Sequence, residues 1–255
     1  MSSTYARRMM LVLWSSPRSR STAFFRMMIE RGDFVAVHEP FSYLAEFGHV
    51  DVDGTRLTSA PELLAGLRSL AARRPVFIKE TTGRRYPEVL ADRQFMAQDA
   101  RHTFLIRHPR ETIASRRVID PRPTLEKIGF ESQYEVFDAA AAATSTAATD
   151  SAGGPVVIDS ADLVARPAAI IAAYCERVGI DFRPEALTWE PSDRPEWELS
   201  RSWHSAVAAS SGFGHVPGPD RGAPDSDIEQ DRLLGGYLNH HLPFYQRLYA
   251  RRLMA

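Results

Sequence analysis

Cysteine is almost absent from this 255-residue chain, which contains only Cys175. A single cysteine excludes an intramolecular disulfide and a metal site built from several thiolates, and it is typical of a reducing compartment. Long apolar runs are also missing near the amino terminus, where Met9–Trp14 stops at Ser15. A secretory signal needs about 7–15 apolar residues and a membrane span about 20. We therefore expect a cytoplasmic protein without an export signal or membrane contact.

Charge of one sign is not in excess either. Lysine and arginine total 31, aspartate and glutamate total 32, and the formal net charge at pH 7 is −1. This balance argues against a nucleic-acid binder, although a local anion site is compatible with it. The hydrophobic fraction of 44% and the charged fraction of 25% are ordinary for a globular chain and exclude disorder.

Short apolar strands alternate with helices along the chain. Strands are predicted at Met9–Trp14, Phe34–Val37, Pro75–Ile78, Thr103–Ile106 and Pro155–Ile158. Helices are predicted from Ser21 to Gly32, at Pro61–Ala72, from Pro109, at Leu125–Thr149, at Ala168–Val178 and at Ile228–Met254. A break is predicted at Asp150–Gly154, and the last helix is predicted to be interrupted near Gly235, Gly236 and Pro243. This alternation predicts an α/β fold with a central parallel sheet and helices on both faces.

The domain organisation is predicted to be simple. The chain shows no internal repeat and no clear linker, so we expect a single domain over residues 1–255. A stretch at about 181–227 is rich in proline, glycine, serine and tryptophan and is long for a structureless loop. Loops of that length are usually functional or disordered, and we expect this one to cover a ligand site.

The first chemical motif is the loop Ser15–Thr22, which lies between a buried strand and a helix. Such a loop directs backbone N–H groups and a helix N-terminus towards an anion. It adds two guanidinium and three hydroxyl groups, from Arg18, Arg20, Ser19, Ser21 and Thr22. The loop has no glycine and is not a Walker A motif. Taken alone, it is equally compatible with a serine-rich turn that carries two solvated arginines.

The second motif is Leu105–Arg117, where Arg107 ends a strand and Ser115 lies two turns into the following helix. Residues three or four positions apart share a helix face, so Ser115 is expected to face the same end of the sheet as Arg107. The pair suits a second phosphate. The alternative is a surface arginine beside an ordinary helix serine.

These motifs resemble those of the sulfotransferases that use 3′-phosphoadenosine 5′-phosphosulfate (PAPS). Pro17, Arg18, Ser19, Ser21 and Thr22 match the strand–loop–helix signature P-[RK]-S-x-[ST]-T, and Arg107, Pro109 and Ser115 match the second signature. Val156–Pro167 is similar to a third, weaker piece, with Asp162 and Leu163 in register, and Trp203–Phe213 is similar to the family's nucleotide-covering loop without its usual R-K-G form.

The resemblance implies a sulfotransferase fold and a donor site. The loop would bind the 5′-phosphosulfate of PAPS, and Arg107 with Ser115 would hold its 3′-phosphate. The residues assigned to the donor or its product PAP are Arg18, Ser19, Arg20, Ser21, Thr22, Arg107, Ser115, Ser211 and Gly212. Arg18 is also assigned a catalytic role, because sulfuryl transfer resembles phosphoryl transfer and builds negative charge on the leaving oxygen.

A base must take the proton of the acceptor hydroxyl. His38 and Glu39 follow the second strand, and Pro40 is expected to keep Glu39 extended. We assign Glu39 as the base with His38 as the second choice, because several branches of the family place a glutamate there. Lys79 and Glu80 end the third strand and are expected to face the same site, so they stay candidates for acceptor binding or catalysis.

The predicted activity is sulfation of a hydroxyl group on a small molecule, of the kind found in secondary metabolism, without nucleic acid as partner. Two other functions stay open: a net dehydration by elimination on the same fold, with or without PAPS, and a non-catalytic nucleotide-binding module. His240 and His241 lack a third ligand at metal-binding spacing, so no metal is expected. The sequence leaves the acceptor and the oligomeric state open.

Overall fold

A sheet of five parallel strands forms the centre of the molecule. The computed structural model describes residues 9–146, 154–214 and 226–255. The strands are β1 (Met10–Ser15), β2 (Val35–His38), β3 (Val50–Val52), β4 (Thr55–Leu57), β5 (Val76–Thr81), β6 (Arg101–Ile106) and β7 (Val156–Asp159). The central sheet has the order β2-β5-β1-β6-β7, and β3 pairs with β4 in a separate antiparallel hairpin. All four pairings in the central sheet are parallel, as predicted.

Helices cover both faces of this sheet. They are α1 (Ser21–Glu30), α2 (Pro40–Phe47), α3 (Ala60–Ala71), α4 (Pro87–Ala91), α5 (Pro109–Ile119), α6 (Phe130–Thr146), α7 (Ser160–Ala165), α8 (Pro167–Val178), α9 (Ser205–Ala208), α10 (Ser226–Gln230) and α11 (Arg232–Tyr249). A π-helical turn spans Phe95–Asp99, and 3₁₀ helices span Glu126–Ile128, Pro184–Leu187 and Pro195–Trp203. Of the helices described, none combines the length and the apolarity that crossing a membrane requires.

The β1 strand shows why the sheet has two cores. All six of its residues are buried. Successive side chains of a strand point to opposite faces. Leu11 and Leu13 therefore pack on one face with α1 and α8, while Val12 and Trp14 pack on the other with α3, α6 and α11. The sheet and its two helical layers form one α/β domain, and the predicted fold class is confirmed.

Two helix predictions were wrong in detail. The helix expected at Leu125–Thr149 is divided, because Gly129 has a φ of 89° and separates a 3₁₀ turn from α6. In contrast, Gly235, Gly236 and Pro243 do not interrupt α11, which is continuous. Its apolar face is buried against the core, so tertiary packing overrides the low helix propensity of these residues. Helix α2 and the β3–β4 hairpin were not predicted.

The stretch predicted as irregular contains short helices. Between 181 and 214 it forms two 3₁₀ helices and α9, and Trp189 and Trp197 anchor it in the core beside α1. Residues 215–225 of this stretch, and most of the break predicted at Asp150–Gly154, lie outside the described residues. We call the part from Pro195 to Gly214 the covering segment.

The strand order locates the functional site. From β1 the chain proceeds to the β2 side of the sheet, whereas β6 and β7 lie on the other side of β1. Ligands of open α/β sheets bind in the crevice at the carboxyl ends of the strands where the order reverses. The loops that follow β1 and β6 diverge from this crevice, and they carry the two predicted anion-binding motifs.

Candidate active site

The loop between β1 and α1 is built with left-handed backbone at two arginines. Arg18 has a φ of 68° and Arg20 a φ of 65°. Left-handed residues between right-handed ones turn successive N–H groups towards the same side, which makes a concave anion site. Arg20 is also the N-cap residue of α1, and its side chain makes no capping hydrogen bond. Ser21, Thr22 and Ala23 in the first turn of α1 line the central cavity.

Of the remaining residues of this loop, Ser19 stabilises the shape of the loop and others line the cavity. Ser19 is fully buried, and its Oγ lies 2.5 Å from Oγ of Ser16, so it holds the shape of the loop from beneath. Arg18, Arg20, Ser21 and Thr22 line the cavity. The prediction that Ser19 contacts a ligand through its side chain is therefore not supported by its placement.

The two predicted motifs meet directly. The Arg18 guanidinium donates a hydrogen bond from Nε to Ser115 Oγ over 3.1 Å, and Arg107 Nη1 donates to the Arg18 carbonyl over 3.0 Å. Arg107 Nε also donates to Glu111 Oε2 over 2.8 Å. Arg107 and Ser115 are both buried, with exposures of 5% and 3%. The structure thus brings together residues that lie about ninety positions apart in the chain.

Glu39 lies at the sharp turn between β2 and α2. Its φ of 44° and ψ of 47° are left-handed, so the expectation that Pro40 keeps it extended was wrong. The turn is fixed on both sides: the Glu39 N–H donates to the Lys79 carbonyl over 2.7 Å, and its own carbonyl accepts from the Tyr43 N–H over 2.8 Å. Pro40 is the first helical residue of α2, where its missing N–H costs nothing.

This turn places the Glu39 carboxylate against the Lys79 ammonium, which are paired as an ion pair. Lys79 is 1% exposed, while 13% of the Glu39 side chain remains exposed and lines the cavity. A buried charge without a partner costs several kcal/mol, and the ion pair with Glu39 offsets this cost for Lys79. His38 lies behind this pair, with its Nε2 atom 3.9 Å from Glu39 Oε1.

Glu80 faces the other side of the sheet, contrary to the expectation that it shares the site with Lys79. Neighbouring strand residues alternate in direction, so Lys79 and Glu80 cannot both face the cavity. The Glu80 carboxylate is buried beneath the N-terminus of α2, where it accepts from the Phe41 N–H over 2.8 Å and from Ser42 Oγ over 2.5 Å. Burial, with the charge of Glu39 second, raises the pKa of Glu80 to about 7.

A chain of hydrogen bonds connects α1 with His38. Thr22 Oγ1 lies 3.1 Å from His204 Nδ1, and His204 Nε2 lies 3.0 Å from Ser200 Oγ. Ser200 Oγ in turn lies 2.6 Å from the Tyr43 hydroxyl, which lies 2.9 Å from His38 Nδ1. Tyr43, Ser200 and His204 were not singled out by sequence reasoning. Only His204 gave a signal, as a histidine within the predicted covering loop.

His38 and His204, the two histidines in this chain of hydrogen bonds, are neutral near pH 7. Burial, followed by the positive charge of Lys79, lowers the pKa of His38 well below its usual value. The same two causes, with a further contribution from Arg18, lower the pKa of His204 to about 2. Each ring therefore has one N–H donor and one acceptor nitrogen, as neutral imidazole requires.

His38, Glu39 and His204 lie close enough together to be considered as ligands of a metal ion. His38, Glu39 and His204 each offer one ligand atom, and these atoms lie within 4.8 Å of one another. However, the Lys79 ammonium is already paired with Glu39, and both ring nitrogens of His204 are hydrogen-bonded. A divalent cation would have to displace the Lys79 ammonium group from the Glu39 carboxylate. The donor set fits a hydrogen-bond network better, and the absence of a metal stays a prediction.

The covering segment lies against the loop Ser15–Thr22, which carries residues predicted to bind the donor and is called the donor loop. Arg18 Nη1 donates to the Trp203 carbonyl over 3.1 Å, and the Arg116 guanidinium lies 5.5 Å from the centroid of the Trp203 ring system. Gly212 lines the cavity, as predicted for a ligand contact. Ser211 is exposed and its carbonyl accepts from the Trp189 N–H over 3.2 Å, and its assignment as a ligand contact stays a prediction.

A cavity of about 610 Å³ lies between these elements. Besides the donor loop, its lining includes Glu39, Tyr43, Lys79, Arg84, Lys127, Ser200, Trp203 and His204. Arg107 and Ser115 lie just behind this lining, beneath Arg18. The arrangement combines an anion-binding loop, a buried lysine and a carboxylate, which are the groups needed to hold a charged donor and deprotonate an acceptor.

Known proteins share this chain's sequence pattern and fold. Residues 9–252 match the family described as "Sulfotransferase domain". A curated relative from Arabidopsis thaliana, Branched-chain-amino-acid aminotransferase-like protein 2, is 24% identical over 214 residues, covering 78% of this chain. The present chain spans about a third of that relative's length, with 35% of it aligned.

Two solved structures show the same fold, each at 15% sequence identity. The sulfotransferase domain from the curacin biosynthetic pathway covers 97% of this chain and 99% of its own, with a TM-score of 0.50. The sulfotransferase domain from the Synechococcus PCC 7002 olefin synthase covers 96% and 95%, with a TM-score of 0.51. Because the family match extends over nearly the whole sequence, the chain belongs to the sulfotransferase domain family.

Proposed function

We propose that the protein transfers a sulfuryl group from PAPS to a hydroxyl group of a small molecule. The observation that carries this proposal is the direct contact between the two anion-binding motifs, in which Arg18 donates to Ser115 and Arg107 donates to the Arg18 carbonyl. PAPS has two separate anionic ends, and paired sites at the ends of β1 and β6 suit such a molecule. Family membership supports sulfuryl transfer as the reaction type.

The donor is proposed to bind with its 5′-phosphosulfate on the loop and the first turn of α1. Arg107 and Ser115 would hold the 3′-phosphate, with Gly212 of the covering segment close by. Arg18 is bonded to Ser115 and Trp203, and it would exchange these partners for oxygen atoms of the donor. A guanidinium fits two oxygen atoms at once, which suits charge that develops on the leaving phosphate.

The acceptor is proposed to enter from the β2 and β5 side, where Glu39 and Lys79 line the cavity. Its hydroxyl oxygen bonds to sulfur as the bond between sulfur and the leaving phosphate oxygen breaks. Glu39 takes the hydroxyl proton, and Lys79 balances the charges around the transferring group. Because sulfuryl transfer has a loose transition state, positioning and charge stabilisation supply most of the catalysis.

Calorimetry tests the donor assignment. PAP is expected to bind the wild type more tightly than adenosine 5′-phosphosulfate, which lacks the 3′-phosphate. Arg107→Ala should weaken PAP binding by about 1.5–3 kcal/mol, the range for a hydrogen bond to a charged group. Arg110→Ala is the matched control, because Arg110 lies on the same helix and pairs with Glu229 at the surface. Equal affinity of the wild type for both nucleotides would overturn the assignment of Arg107 and Ser115.

Product mass distinguishes the remaining reactions. With PAPS and a panel of small alcohols, transfer yields an ester about 80 Da heavier than the alcohol, the mass of SO₃. A product lighter than the alcohol by one water, formed only with PAPS, would mean that elimination follows sulfation. The same loss without PAPS would mean that the fold performs a different reaction. PAP binding without any product would favour a nucleotide-binding module.

A further inference from the structure

The hydrogen-bond chain from Thr22 to His38 joins the proposed donor site to the proposed base. We propose that donor binding reverses the direction of this chain and thereby moves the His38 ring proton from Nε2, the nitrogen beside Glu39, to Nδ1. This inference rests on the proposed function. It assigns Tyr43, Ser200 and His204 a role as positioning residues that couple donor occupancy to the base.

The hydrogen-bond chain is continuous, and three of its five members are buried. Its four bonds have lengths of 3.1, 3.0, 2.6 and 2.9 Å from Thr22 to His38. Tyr43, His38 and His204 are 6%, 4% and 7% exposed. The rings of His38 and His204 also make an edge contact at 4.9 Å. Because each link joins one donor to one acceptor, the orientation of one member determines that of the next.

Each member of the chain both donates and accepts. A hydroxyl group has one hydrogen and two lone pairs, and a neutral imidazole has one N–H and one bare nitrogen. The chain therefore has two complete arrangements. In one, each hydrogen points from Thr22 towards His38, and His38 carries its proton on Nε2. In the other, each hydrogen points towards Thr22, and His38 carries its proton on Nδ1.

The two ends of the chain favour opposite arrangements. At one end, the Glu39 carboxylate only accepts and lies 3.9 Å from His38 Nε2, so it favours a proton on that nitrogen. At the other end, Thr22 lines the cavity in the first turn of α1, and a bound phosphate would accept its hydroxyl hydrogen. Thr22 Oγ1 then has to accept from His204 Nδ1, which reverses every subsequent bond.

When the PAPS site is occupied, the arrangement favoured at the Thr22 end is the more stable one, because the Glu39 carboxylate is already compensated by Lys79. The charged groups around His38 are Lys79, Glu39 and, through His204, Arg18. Among the described residues, His38 Nε2 has no hydrogen-bond partner, so it can change roles without breaking another bond.

The reversal changes the strength of the base. With its proton on Nε2, His38 stabilises the ionised Glu39 carboxylate and opposes its protonation. With Nε2 bare, a nitrogen lone pair replaces the N–H beside the carboxylate, which favours proton uptake by Glu39. No proton is consumed: Thr22 takes one up from water in the cavity, each member of the chain passes one along, and the proton that leaves the buried His38 Nε2 reaches water through the Glu39 carboxylate, whose side chain is 13% exposed. Glu39 thus becomes an effective base only when the donor is present.

Nitrogen-15 NMR of protein labelled at histidine tests this inference without any acceptor. The ring nitrogen shifts distinguish the two tautomers, and His38→Gln assigns the signals. We expect the Nε2–H tautomer without nucleotide and the Nδ1–H tautomer at saturating PAP. Tyr43→Phe removes the central link, so PAP should still bind while the tautomer of His38 no longer responds to it. Tyr86→Phe is the control, because Tyr86 is a buried tyrosine bonded to Glu80 outside the chain.

The outcomes separate the two proposals. If PAP binds and His38 keeps one tautomer throughout, the reversal is wrong while the donor assignment stands. If Tyr43→Phe still shows the switch, the chain is not its route and the inference fails. If calorimetry shows no PAP binding at all, the proposed function fails and this inference fails with it.

Discussion

At the scale of single residues, the left-handed turn at Glu39 determines which carboxylate faces the cavity. Because the backbone of Glu39 is left-handed, its carboxylate pairs with Lys79 and faces the cavity. The Glu80 carboxylate instead accepts a hydrogen bond from the first turn of α2. The base that we propose is therefore positioned by backbone hydrogen bonds on both sides of one residue. A substitution that keeps this backbone but removes the proton acceptor tests the role directly.

Glu39→Gln is expected to lower turnover by about 10²–10⁴, the usual contribution of a general base, because an amide cannot take the acceptor proton. PAP affinity should be nearly unchanged, since Glu39 lies on the acceptor side. Steady-state kinetics and calorimetry measure the two quantities. Glu46→Gln, on the same helix and at the cavity wall, is the matched control and should keep its activity.

The opposite pattern would reassign the base. Normal turnover in Glu39→Gln together with an inactive His38→Ala would move the role to His38, whose Nε2 atom has no hydrogen-bond partner among the described residues.

Residue contacts were predictable from the sequence where a motif specified them, and not elsewhere. The convergence of Arg18, Arg107 and Ser115 follows from two motifs at the ends of parallel strands. The conformation of Glu39 was not predictable, because it depends on the Lys79 carbonyl, which lies 40 residues away in the chain. The alternation rule alone shows that Lys79 and Glu80 face opposite sides, and the sequence reading did not apply it to this strand end.

At the scale of elements, the junction before α6 supports the donor loop. Gly129 has a φ of 89°, and a Cβ atom there would lie 2.8 Å from Pro17 Cδ and 2.9 Å from the Thr82 carbonyl oxygen. The Thr82 hydroxyl also donates to the Gly129 carbonyl over 2.9 Å. This close packing against Pro17 fixes the entry to the loop from below.

Gly129→Ala should therefore destabilise the protein and weaken PAP binding, because Pro17 has to move. Gly32→Ala is the control: its φ of 70° is similar, but nothing lies within 4 Å of a Cβ atom there. Gly32→Ala should lower the free energy of unfolding by about 1–2 kcal/mol, the penalty for left-handed backbone at a residue with a Cβ atom, and should leave PAP affinity unchanged. Urea denaturation and calorimetry compare the two variants. Equal effects of both on PAP affinity would refute the supporting role of Gly129.

Element prediction failed where packing opposes local propensity. Helix α11 continues through Gly235, Gly236 and Pro243 because its apolar face, including Leu234 and Leu238, is buried on the sheet. Local signals indicated interruptions there, and the burial that outweighs them is a property of the assembled fold.

At the scale of the whole molecule, stability should fall in mild acid. Burial lowers the pKa values of His38, His102, His204 and His241, so these side chains are neutral in the folded state. In the unfolded chain they take up protons below pH about 6.5. Their contribution to stability is thus present above that pH and is lost as the pH falls. Glu80, with its pKa raised to about 7, acts in the opposite direction but is one group against four.

Urea unfolding at pH 7.5, 6.5 and 5 measures this trend. Each such histidine contributes a slope of up to about 1.4 kcal/mol per pH unit below pH 6.5. His102 lies in the core, where its pKa is about 4 and its Nδ1 atom accepts from Trp14 Nε1 over 3.0 Å. His102→Gln should be less stable at pH 7.5 but should lose stability less steeply in acid. An unchanged slope would contradict the assignment.

The architecture as a whole was predictable, but the order of its strands was not. Buried apolar runs such as Leu11–Leu13 indicate a parallel sheet with both faces covered. Nothing within a run specifies its neighbour, so the insertion of β5 between β1 and β2 was available only from the structure. The network through Ser200 and His204 depends on that order and on the path of the covering segment, and it left no pattern in the sequence.

The strand order has a consequence for how such proteins diversify. The donor motifs follow β1 and β6, which are interior strands with a hydrogen-bonded neighbour on each side. Glu39 follows β2, an edge strand paired only with β5 in the described sheet. A change in an interior strand disturbs two neighbours, whereas a change at the edge disturbs one. On the proposed function, acceptor preference can therefore drift through β2 and α2 over evolutionary time while the donor machinery is inherited intact.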